Sequence, residues 1–309
     1  MNPMLSLQRC WWLLLVGPIV AAALAAGSPP SGGLLRTHDV VALLGGEDMA
    51  ATWDYGFLEY LIVRQRPDLQ LKFRSLTKEG DTAFQQARDF NYPALEKQLA
   101  EIDATVVVIQ MGLLESLRGK EQVTEFERAA DAWIDRIANG RKRRVVLVGP
   151  APLPASSPLA SRFNALESYR EAVARLAQRK ELPLILPGET QPFGVTDFRD
   201  GLHLNERGHF LFAAQMADVL AGTAKRSLPA TVAERQLLVA VRSKNLRWYH
   251  YVRPQNWAFL DGDRTVQPAS RDHRDPEKRW FPEEMKEWAR LVTEKEREMW
   301  SIARQLDLP

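Results

Sequence analysis

Cysteine is almost absent: Cys10 is the single one in a chain of 309 residues. One thiol excludes an internal disulfide framework and a zinc site built from cysteines. An excess of one charge is missing too, since 41 Lys+Arg face 39 Asp+Glu for a net charge of +2. A nucleic-acid-binding chain carries a basic footprint, so no nucleic acid is expected as a partner. Repeats and low-complexity tracts are lacking. Hydrophobic residues are 45% and charged residues 26% of the chain, a globular composition that rules out a disordered or collagen-like protein.

Long apolar runs are also scarce, and the one present lies at the start. Trp11 to Leu24 is interrupted only by Gly17-Pro18, follows Arg9, and ends in small residues that include Ala23-Leu24-Ala25. This is the layout of a secretory signal peptide. The run is short for a membrane span of ~20 residues, so cleavage is expected over retention as an anchor. Cleavage after Ala25 removes Cys10, leaving an exported, periplasmic or secreted chain without cysteine or membrane span. Residues 1–26 are therefore read as the signal peptide and 27–38, with Gly, Ser and Pro, as a lead-in.

Strands and helices then alternate. Strands are expected at 39–44 (DVVALL), 69–73, 105–110 (TVVVIQ), 144–148 (RVVLV) and 182–186. Helices are expected at 54–66, 93–101, 121–138, 163–178 and from an Asn205 cap to about 221. The third strand is β-branched and apolar on both faces, as in the centre of a parallel sheet. The fold class is thus α/β, a doubly wound parallel sheet flanked by helices, over residues 39–224. Residues 225–309 read as a helical, aromatic-rich extension. Its last helix, at 282–306, has a seam of Met285, Trp288, Val292, Met299, Ile302 and Leu306 interrupted by Lys295, and is expected to dock on the body.

Ligands of such sheets sit beyond the carboxyl ends of the strands. There the sequence places Gly45-Gly46-Glu47-Asp48, Glu79-Gly80-Asp81-Thr82, Gly112-Leu113-Leu114-Glu115, Gly149-Pro150 and Asp200-Gly201-Leu202-His203. An Asp three residues before a His can fix its tautomer and stabilise imidazolium, the orienting role in acyl-transfer triads. Glu47, Asp48, Asp200 and His203 could share a pocket, which would bind a cation or use Glu47 as a base on water; the plainer alternative makes Glu47 and Asp48 solvated turn residues. His209 reads as structural or exposed. Trp248-Tyr249-His250-Tyr251 reads as tail packing in preference to a sugar platform. Arg36, Arg64 and the run Arg141 to Arg144 read as solvated charge. Among hydroxyls, Ser116 reads as a cap or surface residue, Thr52 as distant from the pocket, and Ser75 as lacking a partner.

The segment from Asp197 to His209 resembles the last block of the SGNH (GDSL-like) hydrolases, and the earlier loops fall in that family's order. Val40 to Asp48 resembles the nucleophile block, Gly80-Asp81-Thr82 the glycine block, and Gly112 to Ser116 the block that holds an oxyanion-hole Asn. Lys244-Asn245 and Arg253-Pro254-Gln255-Asn256 resemble the tail of exported planctomycete-type members. The resemblance implies a flavodoxin-like SGNH hydrolase fold, with no cofactor or metal. Catalytic residues would be His203, Asp200, Gly80 through its backbone, and Glu47 at the nucleophile position. Asp48, Leu114 and Glu115 would bind substrate, a small-molecule or carbohydrate ester. The usual Ser and Asn are replaced by Glu47 and Leu114. The expected function is ester or acetyl-carbohydrate hydrolysis, with a degenerate fold that binds a carbohydrate-type ligand or an envelope partner as the alternative.

Overall fold

The computed structural model describes residues 33–222 and 227–306, with Glu47 described by its backbone. The signal-peptide reading of residues 1–26 and the boundary at 224/225 lie outside the described residues. Five parallel strands form one sheet: β1 (Val40–Leu44), β2 (Lys72–Ser75), β3 (Val106–Gln110), β4 (Arg144–Val148) and β5 (Leu184–Ile185), in the order β2-β1-β3-β4-β5. β-Branched runs suit strands covered on both faces, and all five residues of β3 are buried.

Alternate residues supply two cores. Val41, Leu43, Phe73, Val106, Val108, Val146 and Val148 face one way, onto α2 (Phe57–Gln65) and α6 (Glu206–Ala221). Ala42, Leu44, Val107, Ile109, Val145 and Leu147 face the other, onto α3 (Leu95–Glu101), α4 (Val123–Ala138) and α5 (Leu166–Lys180). The layers are those of the doubly wound expectation.

Two elements differ from their sequence reading. The helix expected at 54–66 is two helices, α1 (Glu47–Tyr55) and α2, because Gly56 takes left-handed backbone at φ +69° and closes α1 through its N–H to the Thr52 carbonyl. The second strand begins at Lys72 and not at Leu69, since Pro67–Leu69 forms a 3-10 turn and Gln70 is left-handed.

The extension contains α7 (Val232–Val252), the short α8 (Trp257–Leu260) and α9 (Trp280–Leu306). Leu237, Val241, Met299 and Ala303 share one buried cluster with Val41 and Phe73, so this region docks on the body as expected. The buried seam of α9 runs through Val292, Glu296, Met299 and Ala303; Glu296, not Lys295, interrupts it. Of the aromatic run, Tyr249 stacks on Trp53 and His250 on Trp288, with ring centroids 4.4 and 5.0 Å apart.

α7 also covers the open edge of β2. Lys72 and Leu76 bond toward β1, so the carbonyls of Phe73, Ser75 and Thr77 point away from the sheet. Lys244 Nζ donates to Phe73 O at 3.2 Å, Trp248 Nε1 to Ser75 O at 2.8 Å, and the Arg253 guanidinium to Thr77 O. Four residues of helix advance ~6 Å and two of strand ~6.6 Å, so Lys244 and Trp248 meet alternate carbonyls, and Arg253, just past the end of α7, takes the next. An uncovered edge would invite strand pairing with another chain.

Candidate active site

The first loop is shaped by Gly45. At φ +112° a Cβ there would lie 2.1 Å from the Gln110 carbonyl oxygen, so the turn at the end of β1 admits only glycine. α1 then starts at Glu47. Its first turn is held by Gln110, the last residue of β3, whose Oε1 accepts from Met49 N at 2.9 Å and whose Nε2 donates to Asp48 Oδ2 at 3.3 Å. Asp48 is therefore buried, at 4% exposure, and not a solvated turn residue. Gln110 escaped the sequence reading; its signal was a polar residue closing a β-branched run.

The glycine loop lies against this turn, with Asp81 O 3.7 Å from where a Gly46 Cβ would stand. Gly80 is exposed, and nothing lies within 4 Å of the Cβ it lacks, so its backbone faces open space. Arg88 grips Asp81 through two bonds of 2.6 and 2.7 Å, both groups largely buried.

Glu115 joins the second and third loops. Its Oε1 accepts from Ala83 N at 2.8 Å and its Oε2 from Gly112 N at 2.9 Å. Burial pushes its carboxyl above the ordinary range, and the Ala83 and Gly112 N–H groups pull it back in part. Both oxygens thus hold backbone, which gives Glu115 a positioning role. Glu115→Ala should orphan the two buried N–H groups, each costing ~1–3 kcal/mol, and lower the urea midpoint; an unchanged midpoint would show that water replaces the carboxylate. Leu114 is half-buried and has no side-chain donor.

The last loop is a tight return in which Phe198 bridges Leu204 and Arg199 N donates to His203 O at 2.9 Å. Asp200 Oδ1 accepts from the backbone of His203 at 2.8 Å and of Leu202 at 3.1 Å, while Oδ2 lies 2.7 Å from His203 Nδ1. Burial pushes the Asp200 carboxyl up, but the His203 backbone N–H, the imidazole and the Leu202 N–H outweigh it and bring it down to about 2. Ser157, absent from the sequence reading, donates to Gly201 O at 2.7 Å and accepts from Leu159 N at 3.1 Å, fixing this loop to the one after β4.

Asn205 caps α6, accepting from Gly208 N at 3.1 Å. The far end of α6 meets the start of β1, with Leu220 O accepting from Leu34 N and Leu35 N, so His203 lies at the carboxyl end of the sheet, as does Glu47. His209 is buried and stacked on Tyr55 of α1, centroids 4.1 Å apart. Burial, then the charges of Arg199 and His203, push His209 down to about 3.

Several bland readings are corrected. Arg64 Nε donates to Glu234 Oε1 at 2.6 Å, Arg143 is buried and donates to Ile137 O at 3.1 Å, and Arg144 pairs with Asp39. Ser116 is buried, not a surface residue, and donates to Leu113 O at 2.6 Å. Thr52 donates to Met49 O at 2.6 Å, and the hydroxyls of Ser75 and Thr77 share a hydrogen bond of 2.8 Å, which leaves the readings of both residues standing.

No family model and no curated protein matches the chain. Solved structures do. One is a gut microbial diltiazem-metabolizing enzyme, with TM-score 0.49 and 15% identity over 62% of this chain and 49% of that one. A lipase/acylhydrolase from Enterococcus faecalis has TM-score 0.45 and 19% identity over 62% of this chain and 99% of its own. A protein assigned as a GDSL-like lipase from Parabacteroides merdae has TM-score 0.45 and 15% identity over 60% and 96%. These likenesses, at 15 to 19% identity, are of fold alone. The strand order, the loops at the carboxyl ends and the Asp200–His203 contact are properties of this chain. Among the described residues, no three His, Cys, Asp or Glu side chains are grouped to hold a metal ion, and no helix is long and apolar enough to cross a membrane.

Proposed function

We propose that the chain is an SGNH-type ester hydrolase in which the Asp200–His203 pair activates water. The contact of 2.7 Å between Asp200 Oδ2 and His203 Nδ1 carries this reading. A carboxylate on Nδ1 keeps the proton there and leaves Nε2 as the base. Nε2 takes a proton from water, and the hydroxide adds to the ester carbonyl. The oxyanion that forms is met by the backbone at Gly80 and by the positive end of α1. Collapse breaks the C–O bond, and the imidazolium returns its proton to the departing alcohol.

Water replaces a serine for two reasons. The turn carries Glu47, and Thr52, Ser116 and Ser157 each donate their hydroxyl proton to a backbone carbonyl. The substrate is a small or carbohydrate ester. Export through residues 1–26 and the division into 39–224 and 225–309 belong to the same reading. The competing reading, a degenerate relative that only binds, is favoured by Leu114, which offers no donor to an oxyanion. A panel of aryl esters and acetylated sugars beside a fluorophosphonate probe separates them. Turnover without labelling is expected; no turnover by folded protein supports the binder, and labelling of one serine overturns the water route.

A further inference from the structure

A cavity of about 520 Å³ lies away from the loops described above. It is lined at Val40, Lys72 and Asp103, which stand at the amino ends of β1, β2 and β3, and by none of Gly80, Leu114, Asp200 or His203. Its origin is topological. The crossover from β2 to β3 contains only the seven-residue α3, which leaves one face of the edge strand uncovered. α9 stands across the gap and contributes Met285, Ala289 and Val292 as the far wall.

Four aromatic rings, of Tyr92, Trp248, Tyr251 and Trp257, line this space. Three are tethered by their polar ends: Tyr92 Oη donates to Val252 O, Trp257 Nε1 to Phe90 O at 2.8 Å and Trp248 Nε1 to Ser75 O at 2.8 Å. Tyr251 is the exposed member, at 36%. Around the rings stand Lys72, Arg74 and Lys97 with Glu101, Asp103 and Asp261. Arg74 is already paired, with Glu296 at 2.5 Å.

We infer that this cavity is a second binding site, for a short neutral oligosaccharide. Its volume is that of a ligand pocket. Trp248 is buried with Arg74 over its face and Lys78 lies over Tyr92, so Tyr251 and Trp257 present the ring surface, rigid and apolar at low entropic cost, which suits the C–H face of a sugar ring. The ammonium groups of Lys72 and Lys97 and the carboxylates of Glu101, Asp103 and Asp261 supply donors and acceptors for hydroxyls. With Arg74 paired outside the cavity, two lysines face three carboxylates, which gives no attraction for an anion and disfavours fatty acids and phosphates. The site works whether or not chemistry occurs at His203.

The test is a titration of the full chain with neutral xylo-, cello- and chito-oligosaccharides, followed by calorimetry and by the fluorescence of Trp248 and Trp257. Saturable binding to at least one series is expected. Tyr251→Ala should weaken it about five- to tenfold, the scale of one lost aromatic contact. Asp103→Asn, which keeps a residue tolerant of the left-handed backbone at φ +53°, should also weaken it, and His203→Ala should leave it unchanged. Thermal melts of both cavity variants establish that they fold; exposed Lys72→Gln replaces either one that does not. No saturable binding to any series overturns the inference. So does binding indifferent to the cavity variants, abolished by His203→Ala, or replaced by capture of dodecanoate alone.

Discussion

His203→Ala should lower kcat/KM for the best ester by about 10²- to 10⁴-fold, the range attributed to a positioned general base. Its side chain is 34% exposed, so the loss should come with little change in stability. Asp200→Asn should lose as much, because an amide donor facing Nδ1 forces the proton onto Nε2 and removes the base. Asp200 stays ionised down to about 2, and His209 is held neutral down to about 3, so above that range the carboxylate that faces His203 Nδ1 keeps its charge. Equal activity in wild type and His203→Ala would remove the pair from the mechanism.

Lys244→Met should destabilise the fold by ~3–5 kcal/mol, the cost of leaving one member of a buried ion pair alone. Lys244 Nζ lies 2.7 Å from Glu59 Oε2, with the two side chains 0% and 4% exposed. Burial pushes the Glu59 carboxyl up and the Lys244 ammonium down, each opposed by the other's charge. Without Lys244, Glu59 rises further and takes a proton. A carboxyl raised in the folded state contributes stability that is full below its unfolded value and lost as pH rises through its folded value. The penalty should then be largest at neutral pH and shrink toward acid. Urea unfolding at several pH values measures it. The double variant with Glu59→Gln should recover much of the loss; if it is as unstable as the single variant, the cost lies in packing and in the lost bond to Phe73 O.

The same lysine shows what a motif can hide. In the sequence Lys244 and Arg253 carry a resemblance to a tail and no physical role. Their role depends on the pitch of α7 matching the pitch of β2, across more than 170 positions of chain, as does that of Trp248. Gln110 and Ser157 are similar cases. Each bonds to a loop distant in sequence, and a single polar residue at the end of a strand or in a loop does not name its partner. The two misplaced elements have local causes that were visible, namely Gly56 and the Pro67 to Gln70 turn.

The sequence by itself determined the alternation of strands and helices, the buried centre of the sheet, the Asn205 cap and the Asp-x-x-His spacing, because these depend on period and on neighbours a few residues away. Tertiary structure alone decided that Asp48 is buried, that Glu115 clamps two loops, that α7 seals the open edge and that a cavity opens beneath α9. Those outcomes depend on which distant segments meet. Burial and hydrogen bonding are set there by the whole packing and by no single stretch of chain.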